Sequence, residues 1–129
     1  MPKIKKTVLI VEDNEDLLNS YSEALESAGY NTIKAPDGYE GLDLMAKNSK
    51  DIELVLLDLM MPGVDGLEVL RTVKGDEGKY GSAPIVVLTN MTSENVIKEA
   101  FDLGAISYLV KTDLDYDDLI KEVNKRLGW

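Results

Sequence analysis

The sequence predicts an α/β fold, with one doubly wound parallel sheet of five strands and five helices in three α/β/α layers. The first supporting observation is that five short apolar runs alternate with five segments of helical periodicity. The second is the unbroken apolar run that begins Val55-Leu56-Leu57, typical of a strand buried on both faces. The third is that the 129 residues contain no repeat, low-complexity tract or linker, which predicts a single domain over residues 1–129.

Each predicted strand is a short run rich in β-branched and apolar residues that ends at a polar or turn-forming residue. Right-handed crossovers between parallel strands place the intervening helices on both faces of the sheet. Residues 75–82, mostly Gly, Ser and charged residues, are predicted to form a solvated loop. The five strands are predicted at residues 7–11, 31–35, 53–57, 84–88 and 107–110.

Each strand is followed by a segment whose apolar residues recur every three or four positions, which predicts an amphipathic helix. Asp13 or Asn14 can cap the first helix, which Gly29 ends, and Thr92 or Ser93 can cap the fourth. The apolar positions that define the five helices are Leu17, Leu18, Tyr21 and Leu25; Leu42 and Met45; Leu67, Leu70 and Val73; Val96, Ile97, Ala100 and Phe101; and Tyr116, Leu119, Ile120, Val123 and Leu127.

The composition argues against several kinds of function. A net charge of -10 and a sequence pI near 4.4 repel phosphate backbones and anionic lipid, so neither nucleic acid nor membrane binding is expected. The chain has no Cys and no His, so any metal should be a hard, oxygen-liganded ion such as Mg²⁺. Lys3, Lys5 and Lys6 precede an apolar run too short for a signal peptide, which predicts a cytoplasmic protein.

Polar side chains stand where four of the five predicted strands end. Glu12 and Asp13 follow the first strand, Asp58 the third, Thr89 the fourth and Lys111 the fifth. Because the carboxyl ends of parallel strands meet at one edge, these groups are predicted to converge there. Clustered carboxylates favour a shared divalent cation, and Lys111 suits an anion. No Gly-rich phosphate-binding loop follows the first strand, so a phosphoryl group carried on Asp58 itself fits the charges best.

Each candidate residue also has an ordinary structural explanation. Asp13 could be only a helix cap, Thr89 a strand-end residue, Lys111 a solvated charge and Tyr108 a packing residue. The prediction of a site therefore depends on their joint placement at one edge of the sheet.

Nearly the whole chain resembles the receiver domain of two-component response regulators. The resemblance implies the flavodoxin-like strand order 2-1-3-4-5. It also implies a phosphorelay protein that is not a turnover enzyme on a separate substrate. The matching stretches are Val11-Glu12-Asp13, residues 57–66 (Leu-Asp-Leu-Met-Met-Pro-Gly-Val-Asp-Gly), Leu88-Thr89 and Tyr108-Leu109-Val110-Lys111.

The resemblance implies a role for each matching site residue. Asp58 would be the phosphoacceptor in a Mg²⁺-dependent reaction, with Mn²⁺ as an alternative ion. Asp13 and Asp58 would ligate the ion directly, Glu12 through water, and Met60 through its backbone carbonyl.

The resemblance also implies how the phosphoryl group would be held. Lys111 and Thr89 would contact its oxygens, helped by backbone N–H groups near Met60 and Asn90. Tyr108 would be the switch that turns inward when Thr89 moves. The surface formed by the fourth helix, fifth strand and fifth helix would carry the signal.

The absence of His means that a phosphohistidine donor must be another protein, a sensor histidine kinase or a histidine phosphotransfer protein. The phosphorylated chain is expected to act on a downstream protein target. It is expected to be a monomer or a weak phosphorylation-dependent dimer. No output domain follows the last predicted helix. Met1 and the end at Leu127-Gly128-Trp129 favour a stand-alone receiver over a piece of a longer regulator.

Three positions depart from the usual pattern of the family. Glu12 stands at the first acidic position, a substitution that the family tolerates. Thr112 follows Lys111, where the family usually has a cis proline; a non-proline cis bond would cost ~3 kcal/mol. Met60 and Met91 lie where side chains influence water access, which predicts slow self-dephosphorylation.

Three other functions compete with the receiver. A small-molecule phosphatase or phosphotransferase with an Asp nucleophile usually has a second acid two residues later, and here that position is Met60. A pseudo-receiver that only binds partners would not need the acids, Thr89 and Lys111 together. A flavodoxin-like electron carrier would need a hydroxyl-rich phosphate loop, where this chain has acids.

Overall fold

A computed structural model describes residues 5–128, so the predictions on Met1, Lys3 and Trp129 lie outside the described residues. Five strands form one parallel sheet in the order β2-β1-β3-β4-β5, which confirms the predicted fold and strand order. The strands are β1 (Thr7–Val11), β2 (Asn31–Ala35), β3 (Ile52–Leu57), β4 (Ile85–Thr89) and β5 (Ser107–Val110).

Six helices and one 3₁₀ turn lie between and after the strands within the described range. The apolar stripes of the five longer helices pack on the sheet, as expected for amphipathic helices. None of the helices between residues 5 and 128 is long and apolar enough to cross a membrane. The helices are α1 (Glu15–Ser27), α2 (Gly38–Lys47), α3 (Gly66–Gly75), α4 (Glu77–Tyr80), α5 (Glu94–Asp102) and α6 (Tyr116–Leu127), and the 3₁₀ turn is Lys111–Asp113.

Two hydrophobic cores lie on opposite faces of the sheet because successive strand residues point to opposite sides. In β1, Leu9 and Val11 enter one core, and Val8 and Ile10 enter the other. Helices α1 and α6 cover the core of Val8 and Ile10, and α2, α3 and α5 cover the other core. The helix residues in these cores include Leu18, Leu25, Leu119 and Val123 on the first face and Met45, Val69, Leu70 and Ala100 on the second.

The prediction of five helices and of a loop at residues 75–82 was wrong by one short element. Residues 77–80 form the single-turn helix α4. The Asp76 side chain accepts the Lys79 N–H at 3.1 Å, which caps the turn. The turn has no buried residue, so periodicity gives no sign of it. Three strand boundaries also differ by one residue: β3 begins at Ile52, and β4 runs from Ile85 to Thr89.

Two aromatic residues predicted to face inward lie at the rim of the cores instead. Phe101 and Tyr116 are each 45% exposed. Phe101 leans on the ring of Tyr108, with centroids 6.4 Å apart, and Tyr116 meets Tyr21 edge-on at 5.9 Å. The helical period gave their direction correctly but not how far the neighbouring elements cover them.

Candidate functional site

Strand register brings Glu12 and Asp58 side by side. Val11 pairs with Leu57 at the ends of β1 and β3, and the Asp58 N–H donates to the Val11 carbonyl at 3.0 Å. The next residue on each strand is therefore an acid at the edge of the sheet. Glu12 is 2% exposed and Asp58 5% exposed, so both carboxylates are taken out of water.

Asp13 completes an acidic cluster with these two residues. One carboxylate oxygen from each of Glu12, Asp13 and Asp58 lies within 4.8 Å of the others, and Asp13 is exposed. Asn14, not Asp13, caps α1, because its side chain accepts the Leu17 N–H at 3.0 Å. Asp13 is thus left available to the cluster.

Burial of Glu12 has an electrostatic consequence. Desolvation raises the pKa of this carboxyl group, and the nearby charge of Asp58 adds to the increase. Hydrogen bonds from Lys111 and from the Asn14 N–H, the latter at 3.0 Å, oppose the increase. Burial and the charge of Asp58 therefore both disfavour the ionised form of Glu12.

Lys111 supplies the compensating positive charge. Its ammonium donates to Glu12 and, at 3.0 Å, to Asp58, and its side chain is only 11% exposed. Burial acts to lower the pKa of Lys111, but the two hydrogen bonds and two negative charges outweigh it and raise the pKa. Lys111 therefore stays charged and links the strand ends of β1, β3 and β5.

Thr89 and Tyr108 are joined through Met91. Thr89 is fully buried at the end of β4, and its hydroxyl accepts the Met91 N–H at 3.4 Å. The Tyr108 hydroxyl donates to the Met91 carbonyl at 2.6 Å. Burial raises the pKa of the Tyr108 hydroxyl, and the charge of Asp58 raises it further. The Tyr108 side chain is thus hydrogen-bonded to the loop that follows Thr89.

The loop after β3 and the start of α3 both contact Asp58. The Met60 N–H donates to the Asp58 side chain at 3.1 Å, while the Met60 side chain is 54% exposed. Gly66 begins α3 directly against this strand end, and a Cβ there would lie 2.5 Å from the Asp58 carbonyl oxygen. Only a glycine fits this approach without displacing the backbone.

One contact at the site was not predicted from the sequence. The Thr112 N–H donates to the Asn90 side chain at 3.1 Å. The Lys111–Thr112 peptide is trans, as are all peptide bonds in the described part of the chain. The only sequence signal for the contact was a polar residue directly after Thr89.

The donor chemistry of the cluster fits a hard divalent cation. Three carboxylates converge, and the chain has neither Cys nor His. A positive charge is already required there, since the Lys111 ammonium bonds two of the three carboxylates. Glu12, Asp13, Asp58 and Lys111 are therefore brought together as predicted.

Comparison with known proteins gives one family. A family model described as the response regulator receiver domain matches residues 8–124. Sporulation initiation phosphotransferase F of Bacillus subtilis is 32% identical over 125 residues, which cover 96% of this chain and 95% of that protein. The CAI-1 autoinducer sensor kinase/phosphatase CqsS of Vibrio cholerae is 34% identical over 119 residues, 92% of this chain; this chain spans only 17% of its length.

A solved structure agrees with this comparison. The fold is similar to that of a protein in the CheX-CheY-BeF3-Mg²⁺ complex from Borrelia burgdorferi, with a TM-score of 0.87 and 26% identity. The match covers 96% of this chain and 90% of that chain.

Proposed function

This chain belongs to the response regulator receiver domain family, and we propose that it accepts a phosphoryl group on Asp58 from a phosphohistidine of a partner protein. Members of this family are receivers in two-component signalling rather than turnover enzymes. The observation that carries the proposal is the buried Asp58 carboxylate, which lies beside Glu12 and Asp13 and bonds the Lys111 ammonium at 3.0 Å.

Glu12, Asp13, Asp58 and the backbone carbonyl of Met60 would hold Mg²⁺, which would neutralise the carboxylates and the incoming phosphoryl oxygens. The three carboxylates support this assignment by their oxygen chemistry and mutual distance of at most 4.8 Å. Mn²⁺, which also takes oxygen ligands, is proposed as an alternative ion.

Asp58 would act as the nucleophile. A carboxylate oxygen of Asp58 would form a bond to phosphorus while the bond from phosphorus to the histidine nitrogen breaks, and the nitrogen would keep the electron pair. Phosphoryl transfer depends mainly on position and charge neutralisation. Lys111 is already within hydrogen-bonding distance of Asp58, so its ammonium would follow the new oxygens. Thr89 and the backbone N–H groups of Met60 and Asn90 would supply further donors.

Thr89 and Tyr108 would carry the signal away from Asp58. Movement of the Thr89 hydroxyl toward the phosphoryl group would give up its bond with the Met91 N–H, and Met91 also accepts from Tyr108. The change would alter the surface made by α5, β5 and α6. A local change in charge can shift a bistable element in this way.

The proposed partners are a sensor histidine kinase or histidine phosphotransfer protein and a downstream protein. These 129 residues contain no His, so the phosphohistidine would lie outside them. One receiver domain over residues 1–129 is proposed, and the family match to residues 8–124 supports it. The cytoplasmic location and the monomer or weak dimer remain predictions.

The test is the intact mass of the protein after incubation with Mg²⁺ and acetyl phosphate. We expect the wild type to gain one phosphoryl group and Asp58→Asn to gain none. Asp51→Asn is the matched control, because Asp51 is exposed just before β3 begins, at the opposite end of the strand from Asp58. EDTA should abolish the gain. A phosphoryl group on Asp58→Asn, or none on the wild type with a cognate phosphohistidine protein, would overturn the proposal.

A further inference from the structure

Lys111 lies at the transition from a strand to a 3₁₀ turn. It is the first residue after β5 and the first residue of the 3₁₀ turn Lys111–Asp113. The sheet pairing of β5 ends at Val110, which lies opposite Thr89. Beyond that pair, the direction of the Lys111 side chain depends on how the turn is held.

The first backbone N–H groups of a helical turn have no partner within the turn and need one from outside. Val110 precedes the turn and provides no side-chain cap. The Thr112 N–H finds its acceptor across the site, on the Asn90 side chain at 3.1 Å. Asn90 thus satisfies a donor that directly follows Lys111 in the chain.

Asn90 is exposed, but the residue before it in the chain is held in the sheet. It follows Thr89, which is fully buried and paired within β4 and β5. The side-chain carbonyl oxygen of Asn90 accepts the Thr112 N–H, so a hydrogen bond connects the end of β4 to the turn that carries Lys111. The same Lys111 ammonium bonds Glu12 and Asp58.

We propose that Asn90 is a positioning residue for Lys111, and that its side-chain carbonyl holds the Lys111–Asp113 turn so that the ammonium stays between Glu12 and Asp58. The consequence for phosphorylation rests on the proposed function, because Lys111 is assigned there to the phosphoryl oxygens. The contact with Thr112 is possible because residue 112 is not proline and keeps its N–H.

The competing explanation is that Asn90 only joins two loops and adds stability. The two explanations differ in their dependence on Lys111. A positioning residue acts through the ammonium, so its removal has no further effect once the ammonium is gone. A loop tie acts on the fold, so its effect persists without Lys111 and adds to that of Lys111→Ala.

The first arm of the test observes Lys111 directly. Proton exchange of its ammonium is followed by ¹⁵N NMR in the metal-free 129-residue chain, with Lys111→Ala to assign the signal. We expect Asn90→Ala to speed the exchange by about tenfold, the scale of one lost hydrogen bond. Asn90→Asp keeps the acceptor oxygen, and Thr112→Ala keeps the N–H donor, so both should retain slow exchange. Unchanged exchange in Asn90→Ala would overturn the proposal.

The second arm measures the rate of phosphorylation by acetyl phosphate with Mg²⁺ in the wild type, Asn90→Ala, Lys111→Ala and the double variant. We expect Asn90→Ala to slow the wild type by about three- to tenfold and to change Lys111→Ala very little. If Asn90→Ala slows phosphorylation by the same factor in the wild type and in Lys111→Ala, Asn90 only connects the two loops, and the positioning role is excluded. If the wild type gains no phosphoryl group from acetyl phosphate or from a cognate phosphohistidine protein, the proposed function fails, and the NMR arm still decides the positioning of Lys111.

Discussion

At the scale of single residues, the site is a balance between burial and charge. Glu12 is nearly inaccessible to water, and desolvation raises the pKa of its carboxyl group. Lys111 is tolerated beside it because two carboxylates accept its hydrogen bonds. Removing one partner of a buried pair leaves an uncompensated charge, which costs more than the pair contributes. The Lys111 ammonium and the two carboxylates are therefore best understood as one set of interacting groups.

Glu26 shows the opposite behaviour at the surface. It accepts hydrogen bonds from Thr32 at 2.6 Å and Ser22 at 3.0 Å, and these bonds lower the pKa of its carboxyl group. A lowered pKa in the folded state means that ionised Glu26 stabilises the fold above its unfolded pKa, near 4.5, and that this contribution is lost as pH falls through the folded value.

We therefore expect Glu26→Gln to be less stable than the wild type at pH 7, with the difference shrinking as pH falls below about 4.5. Urea unfolding at pH 7 and pH 3 measures it. Glu23→Gln, an exposed change on the same helix, controls for the loss of surface charge. A Glu26→Gln deficit that grows on acidification would contradict the prediction.

Met60 affects the proposed phosphoryl group through its side chain. That side chain is 54% exposed beside Asp58 and offers no group to orient a water molecule. Met60→Asn introduces a hydrogen-bonding side chain there, so we expect faster loss of the phosphoryl group, by roughly tenfold. The phosphoprotein lifetime in the presence of Mg²⁺ after removal of the donor, followed by intact mass, measures it. Met60→Leu should keep the wild-type lifetime; equal lifetimes in all three proteins would exclude the effect.

At the scale of elements, the start of α3 fixes the strand end that bears Asp58. Gly66 lies so close to β3 that an added Cβ would be 2.5 Å from the Asp58 carbonyl oxygen and 2.6 Å from the Leu59 Cα. Backbone atoms cannot move aside as a flexible side chain can. The helix and the strand end must therefore shift together if residue 66 grows.

Two glycines of α3 should respond in opposite directions to alanine. We expect Gly66→Ala to lower the free energy of unfolding by about 1–3 kcal/mol through overpacking. Gly75, at the other end of the helix, has no atom within 4 Å of an added Cβ. Gly75→Ala should therefore raise it by about 0.5–1 kcal/mol through reduced chain entropy. Urea unfolding compares the two; equal effects would show that the close approach at Gly66 carries no strain.

At the scale of the whole molecule, the strands were predictable because β1, β3 and β4 are apolar on both faces and contrast with their surroundings. The convergence of Glu12, Asp13, Asp58 and Lys111 followed from sheet direction alone. Two features of the structure could not be predicted from the periodicity of the sequence. The single turn α4 is too short to have a period, and the Asn90–Thr112 contact joins residues 22 positions apart whose loops meet only in the folded chain.

The position of Lys111 has a further consequence for the life of the molecule. Its ammonium already serves as the counterion of Glu12 and Asp58, so the chain carries its own substitute for an external cation. Many metal-binding domains unfold when deprived of their ion, because binding and folding are one event. Because Lys111 already offsets the charge of two of the carboxylates, we expect this fold to form without bound metal. Urea unfolding of the chain with and without EDTA should then give similar free energies of unfolding.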